Sequence, residues 1–226
     1  MAVFRRDEKS QTGDPSCAGR VCALATPRIA VHVLFVSQKT SITDLTGQML
    51  IAMPGMPDPR FEHSLIYLCA HSSDGAMGLI INKPSAEMSF ETLVDQLPIE
   101  NTGNLSEIRV HFGGPVEVGR GFVLHSPDFQ SDMTTLQVDD AFAMTATLDV
   151  LESIAQGTGP DKRLIVLGYA GWGPGQLERE IAQNGWLVCE ADSELVFDTV
   201  DTEKWEAALG RLGISPLVLS SAGGRA

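Results

Sequence analysis

Hydrophobic positions gather into short continuous runs separated by glycine, proline and polar breaks. This texture predicts many buried strands and few helices. Gly47–Met53 (GQMLIAM) is the first clear run, followed by a proline-rich loop over Pro54–Phe61. His63–Ala70 (HSLIYLCA) and Ala76–Asn82 (AMGLIIN) flank Asp74-Gly75, a hairpin signal because glycine accepts the positive φ of a tight turn. Glu107–Gly114 and Gly121–Ser126 predict two further strands, with GGPVEVGR as their connection. Thr134–Val138 and Ala141–Thr145 predict short strands, and Arg163–Tyr169 and Trp186–Glu190 two buried ones.

The apolar period changes to that of a helix in four places. Ser89 is placed to cap a helix through about Leu97, with Phe90, Leu93, Val94 and Leu97 on its apolar face. Thr147–Gly157 predicts a helix facing inward through Leu148, Leu151, Ile154 and Ala155, with Gly157 just past its end. Gly175–Gly185 predicts a third, with Leu177 and Ile181 one turn apart. Asp201–Gly213 predicts a fourth, with Thr202 as its cap. Strands outnumber helices and come in hairpins, which predicts an α+β fold rather than an alternating parallel sheet.

Composition divides the chain. Residues 1–40 hold six Lys/Arg against three acids, within a total charge of -13, so the remainder carries -16. The basic, mixed segment 1–40 is expected to be a disordered extension, and 41–226 a single domain. A body this acidic repels a phosphate backbone, so direct nucleic-acid binding is not expected. No Lys/Arg cluster stands out in the sequence after residue 40. No apolar run is long enough for a membrane helix, and the four cysteines show no CxxC. A cytoplasmic protein with reduced thiols is the expectation.

Gly168–Glu178 (GYAGWGPGQLE) lies between an apolar run and a helix, the usual setting of a phosphate cradle. It lacks the lysine of a Walker loop, and Gln176 stands where a dinucleotide loop needs its last glycine. A structural corner is the expectation, with a ligand-contacting loop over 168–176 as the alternative. His111 and His125 fall in neighbouring predicted strands, but no acid at fixed spacing completes a metal site. Cys69 and His71, two residues apart on a strand, would share a face, which makes Cys69 a candidate reactive thiol. No catalytic set, metal site or cofactor motif emerges.

Four segments carry a resemblance. Leu45–Pro84, His111–Val116 (HFGGPV), Gly121–Ser126 (GFVLHS) and Tyr169–Trp186 (YAGWGPGQLEREIAQNGW) resemble, in order, the motifs of the YqgE/AlgH family, over about residues 43 to 212. The resemblance implies a bacterial cytosolic protein with a complex α+β fold: a bifurcated, mostly antiparallel sheet with a small barrel-like portion, surrounded by helices. It brings no catalytic residues and no DNA-binding motif, although some members are labelled putative transcriptional regulators. The family pattern starts near Leu45, so a non-ATG start such as Val33 or Val36 is an alternative to Met1.

The expected function is that of a non-catalytic regulatory or adaptor protein with a protein partner. The alternatives are a small-molecule binder or enzyme, and a thiol switch at Cys69. The candidate contact residues are His71, Asn82, Tyr169, Trp172 and Gln176.

Overall fold

Ten strands and four helices make up the computed structural model, which describes residues 44–99, 105, 108–131 and 134–219. The expected extension over residues 1–40 lies outside these. Strand β1 (Gln48–Ala52) pairs antiparallel with β2 (Leu65–Ser72), and β2 forms a hairpin with β3 (Gly75–Ile80). Ser72 pairs with Gly75, so the two turn residues are Ser73 and Asp74. Gly75 has a different duty from the turn position its sequence suggests. At φ +139° a Cβ there would lie 2.3 Å from the carbonyl oxygen of Trp172, so only glycine lets the neighbouring strand approach.

Ser89 caps α1 (Phe90–Asp95), as its position in the sequence predicts, by accepting the Thr92 N–H. Before it runs β4 (Pro84–Ser89), a largely exposed polar strand that hydrophobic patterning does not signal. Strand β5 (Arg109–Phe112) precedes β6 (Val116–His125). The segment expected to connect them is mostly strand, since β6 already begins at Val116. The short β7 (Thr135–Gln137) and β8 (Ala143–Thr145) then form the antiparallel pair at one sheet edge.

Helix α2 (Leu148–Ala155) buries Val150, Leu151, Ile154 and Ala155, whereas Leu148, expected inside, is 45% exposed. Leu148 opens the helix, where the entering chain turns it outward. Gly157 follows the helix at φ +77°, the left-handed stop its position predicts. Strand β9 (Arg163–Trp172), helix α3 (Gln176–Ala182), strand β10 (Trp186–Glu190) and helix α4 (Lys204–Arg211) complete the order, with a π-turn over Glu194–Asp198 before α4. Glu203, not Thr202, occupies the residue before α4.

Strand β9 organises the sheet. Its first half lies between β5, in parallel (Val110 opposite Ile165), and β6, antiparallel (Val123 opposite Ile165). Its second half, Ala170–Trp172, pairs with β3. The sheet therefore forks near Gly168, runs through β3, β2, β1 and β10 on one arm, and curls into a half barrel. The architecture is α+β, with antiparallel pairing throughout except for β5 against β9.

The fork is built from main chain. Gly168 sits at φ +73°, and a Cβ there would meet the Gly114 carbonyl oxygen at 2.5 Å. A Cβ on Gly113 would meet the Gly168 carbonyl oxygen at 2.2 Å, and one on Gly114 the Tyr169 carbonyl carbon at 2.1 Å. The HFGGPV and GYAGWGPG segments are two sides of one backbone contact.

Alternation along β1–β3 divides the core. Met49, Ile51, Leu65, Tyr67 and Leu79 face α4 through Trp205 and Leu209. Leu50, Ile66, Leu68 and Ile80 face Leu177 of α3, Trp172 and Trp186. A third cluster joins α1 and α2 to β5, β6 and β9 through Phe90, Val94, Val123, Ile154 and Ile165. Each fully buried side chain of this kind contributes about 1.5–3 kcal/mol relative to exposure.

Candidate functional site

The glycine-rich stretch is not one loop. Residues 168–172 continue β9, and only Gly173, Pro174 and Gly175 form the turn into α3. Gly175 takes the left-handed conformation (φ +65°) immediately before the helix. Gln176 closes the turn by accepting the Gly173 N–H at 3.1 Å, and its amide donates to Glu180 Oε1 at 2.9 Å. The other carboxylate oxygen of Glu180 accepts two indole N–H groups, from Trp172 at 2.9 Å and from Trp186 at 2.8 Å. The two rings meet edge to face at 5.9 Å. Glu180 is thus the acceptor around which Trp172, Gln176 and Trp186 assemble. All of them fall within one short stretch, with Trp172 eight and Trp186 six residues from Glu180, and a carboxylate midway between two tryptophans is the sequence signal.

Beside this cluster lies a cavity of about 650 Å³ between the Met53–Asp58 loop and the α3–β10 connection. Gln176, Glu180 and Trp186 line it, but the amide oxygen and nitrogen of Gln176 are both engaged internally.

The other candidate residues do not converge on Gln176. His71 is buried; Nδ1 accepts the Leu45 N–H at 3.2 Å, so Nε2 carries the proton and donates to Glu178 Oε1 at 3.1 Å. It ties the end of β2 to α3. Asn82 accepts the Leu65 N–H at 2.9 Å and donates to the His63 carbonyl at 2.9 Å, standing in for a strand partner at the start of β2. Tyr169 lies on the opposite face of β9 from Trp172, edge to face with Phe122 at 5.9 Å. There it lines an open apolar groove of about 550 Å³ with Met77, Phe122, Leu136 and Met144, and with Arg120 at its rim.

Cys69 and His71 do not share a face. Leu68 pairs with Gly78 and Ala70 with Met77, so Cys69 is the extra residue of a β-bulge. The bulge sends Cys69 into the α4-side core and His71 toward α3. Burial pushes the Cys69 thiol well above its ordinary pKa, the opposite of an activated cysteine. His111 and His125 do not adjoin either, because β9 runs between their strands. His125 is enclosed by Ser126 O at 2.7 Å and Thr145 Oγ1 at 2.9 Å, and burial lowers its pKa. Among the described residues no group of three or more His, Cys, Asp or Glu is arranged to hold a metal ion.

A second polar centre has no sequence motif. Asp201, just before α4, is 6% exposed and Lys204 is 1% exposed. Lys204 Nζ donates to Asp201 Oδ1 and to the Ile81 carbonyl, both at 2.9 Å. Asp201 Oδ2 accepts from Arg109 at 2.9 Å and lies 3.2 Å from His111 Nε2, out of line for a hydrogen bond. Burial alone would raise the Asp201 pKa; the adjoining His111 and Lys204 outweigh it and hold the carboxyl well below the usual range. Burial lowers the Lys204 pKa. These four residues come from strands and helix nearly a hundred positions apart.

A forked, mostly antiparallel α+β sheet with glycine-locked strands defines the class of protein. The AlgH-like family model matches residues 49–217, and the chain belongs to that family. A UPF0301 protein of Cereibacter sphaeroides is 57% identical over 183 residues, which cover 81% of this chain and all of the relative. A UPF0301 protein of Rhodospirillum rubrum is 56% identical, covering 80% of this chain and 94% of the relative. The solution structure of the AlgH protein from Pseudomonas aeruginosa superposes with a TM-score of 0.67 at 44% identity, covering 84% of this chain and all of that one. A crystal structure from Corynebacterium diphtheriae, at 18% identity and a TM-score of 0.59 over 76% of this chain and 88% of that one, shares the fold. Among the described residues no helix is long and apolar enough to cross a membrane.

Proposed function

We propose that this chain is a non-catalytic regulatory or adaptor protein of the cytoplasm, acting through contact with a protein partner. The observation that carries the reading is the open groove under Tyr169. Met77, Phe122, Met144 and Leu136 supply its apolar wall, and Leu136 is 42% exposed at the β7 edge. Methionines adapt their shape to different side chains, and a short edge strand offers main-chain pairing to an extended segment. The occupant that fits is an extended apolar stretch of another protein, with an acidic residue that competes with Glu117, 3.1 Å from Arg120, for the guanidinium at the rim. The polar side chains of the glycine-rich signature, by contrast, are occupied in holding α3 and β10 together, which leaves that signature a structural task.

The test is site-specific photo-crosslinking in the native host from position 136, compared with position 87 on exposed β4. A discrete adduct from 136 that disappears when Arg120→Glu is added supports the reading. No adduct, or the same adducts from both positions, overturns it.

A further inference from the structure

The cavity of about 650 Å³ beside Glu180 has the volume of a small-molecule site, about 300–1,000 Å³. Two carboxylates line it, Asp58 and Glu180, and among the described residues no Lys, Arg or His does. Asp58 is matched by Arg60 at 2.6 Å. Glu180 is met only by neutral groups: the Trp172 and Trp186 indoles on one oxygen and the Gln176 amide on the other. These donors hold the carboxylate in place without cancelling its charge. A carboxylate offers about four acceptor sites. Three are in use, so the remaining one belongs to Oε1, which serves Gln176 alone.

The walls supply the second observation. Met53, Met56, Phe61 and Trp186 line the same cavity. The Phe61 and Trp186 rings stand nearly perpendicular, at 79°, with centres 5.7 Å apart. Aromatic faces attract a cation through their quadrupole, and methionine side chains mould themselves to an aliphatic chain. The end of α3, with Gln183 and Asn184, also borders the cavity, and carbonyl dipoles at a helix end favour positive charge. An anion here would be repelled by two carboxylates. A neutral apolar ligand would strip water from Glu180 and return nothing. A cationic head on a short carbon chain meets both the carboxylate and the apolar walls.

We propose that this cavity binds the primary ammonium group of a small aliphatic amine, with Glu180 Oε1 as its acceptor and Phe61, Met53 and Met56 against its carbon chain. The cavity shares no lining residue with the groove under Tyr169, so neither reading depends on the other.

The three tryptophans of the chain provide the readout. The Trp172 and Trp186 indole N–H groups sense the electron density on Glu180, whereas the Trp205 N–H donates to the Ala52 carbonyl at 3.0 Å and serves as the reference. The experiment follows these indole signals in proton–nitrogen correlation spectra of the full chain. The probes are n-butylammonium, tetramethylammonium and n-butanol, at constant ionic strength set by sodium chloride. Saturable shifts of Trp172 and Trp186 with butylammonium, half complete below about 10 mM, are expected, with Trp205 unmoved. Butanol lacks the charge and tetramethylammonium the N–H donors, so neither should saturate the signals. Glu180→Gln keeps an oxygen for the indoles and removes the charge, and should weaken binding about tenfold or more. Gln183→Lys, at an exposed position on the rim, adds a repelling cation and should weaken it roughly threefold at low salt. Glu87→Gln, on exposed β4, should leave the titration unaltered. Thermal midpoints check that each variant is folded. Linear shifts with butylammonium, equal saturation by butanol or tetramethylammonium, or saturation that neither Glu180→Gln nor Gln183→Lys weakens, would overturn the proposal.

Discussion

Replacing Glu180 with Ala removes the acceptor shared by Trp172, Trp186 and Gln176. Trp172 is 7% exposed and Trp186 2%, so neither indole N–H can turn to bulk water. Each stranded donor costs about 1–3 kcal/mol, and the loss is moderated because half-exposed Glu180 leaves a path for water to enter. The half-buried Gln176 amide adds little. The expected sum is about 2–4 kcal/mol, which for a chain of this length lowers the thermal midpoint by roughly 4–16 °C. Glu180→Gln keeps an oxygen for the indoles but sets its amide against that of Gln176, and should cost only about 0.5–1.5 kcal/mol. Equilibrium urea unfolding followed by tryptophan fluorescence measures both variants on the residues concerned. A loss below about 0.5 kcal/mol for Glu180→Ala, or equal losses for the two variants, would refute the assignment of Glu180 as the structural centre of this motif.

The remaining expectations concern other parts of the fold. Gly168→Ala should cost more than about 3 kcal/mol, because it combines a left-handed φ with a carbonyl oxygen at 2.5 Å; normal yield and a near-native midpoint would contradict the backbone contact. The depressed Asp201 pKa contributes stability that is present above the unfolded value of about 4 and is lost as pH falls through the lower folded value. Urea midpoints measured downward from pH 5 should therefore fall less steeply in Asp201→Asn than in the parent, and parallel curves would remove Asp201 from the acid response. In a Cys17→Ser, Cys22→Ser background, a thiol reagent should modify Cys69 only at the rate of unfolding, since the residue is 2% exposed and its thiol is held protonated. Labelling within seconds in native buffer would restore the thiol switch.

Local signals proved legible. Ser89, Gly157 and the β2–β3 hairpin act through neighbours a few residues away, and the chain carries their chemistry in contiguous letters. The glycine-rich segment was half legible: it is a corner, but the strand persists through Gly168 and Gly171 because β3 and β6 flank it, and no propensity for glycine in isolation conveys that. The β-bulge at Cys69 shows a sharper limit. One added residue reverses which face the following side chains take, so strict alternation misplaced His71 relative to Cys69. The polar centre at Asp201 was invisible for a different reason. Arg109, His111 and Lys204 look scattered along the sequence, and only the return of the α4 segment beside β5 gathers them.

The main-chain fork at Gly113, Gly114 and Gly168 also shapes how this protein can change over generations. A side chain that crowds another side chain can be accommodated by trimming its neighbour, but a carbonyl group cannot be trimmed. These three positions are therefore closed to stepwise substitution, while Gly119 and Gly210, where an added Cβ meets nothing within 4 Å, remain open. Random mutagenesis with selection for folded protein should find free exchange at 119 and 210 and none at 113, 114 and 168. The fork thus acts as a fixed point in sequence space, around which the grooves and rims are free to diversify.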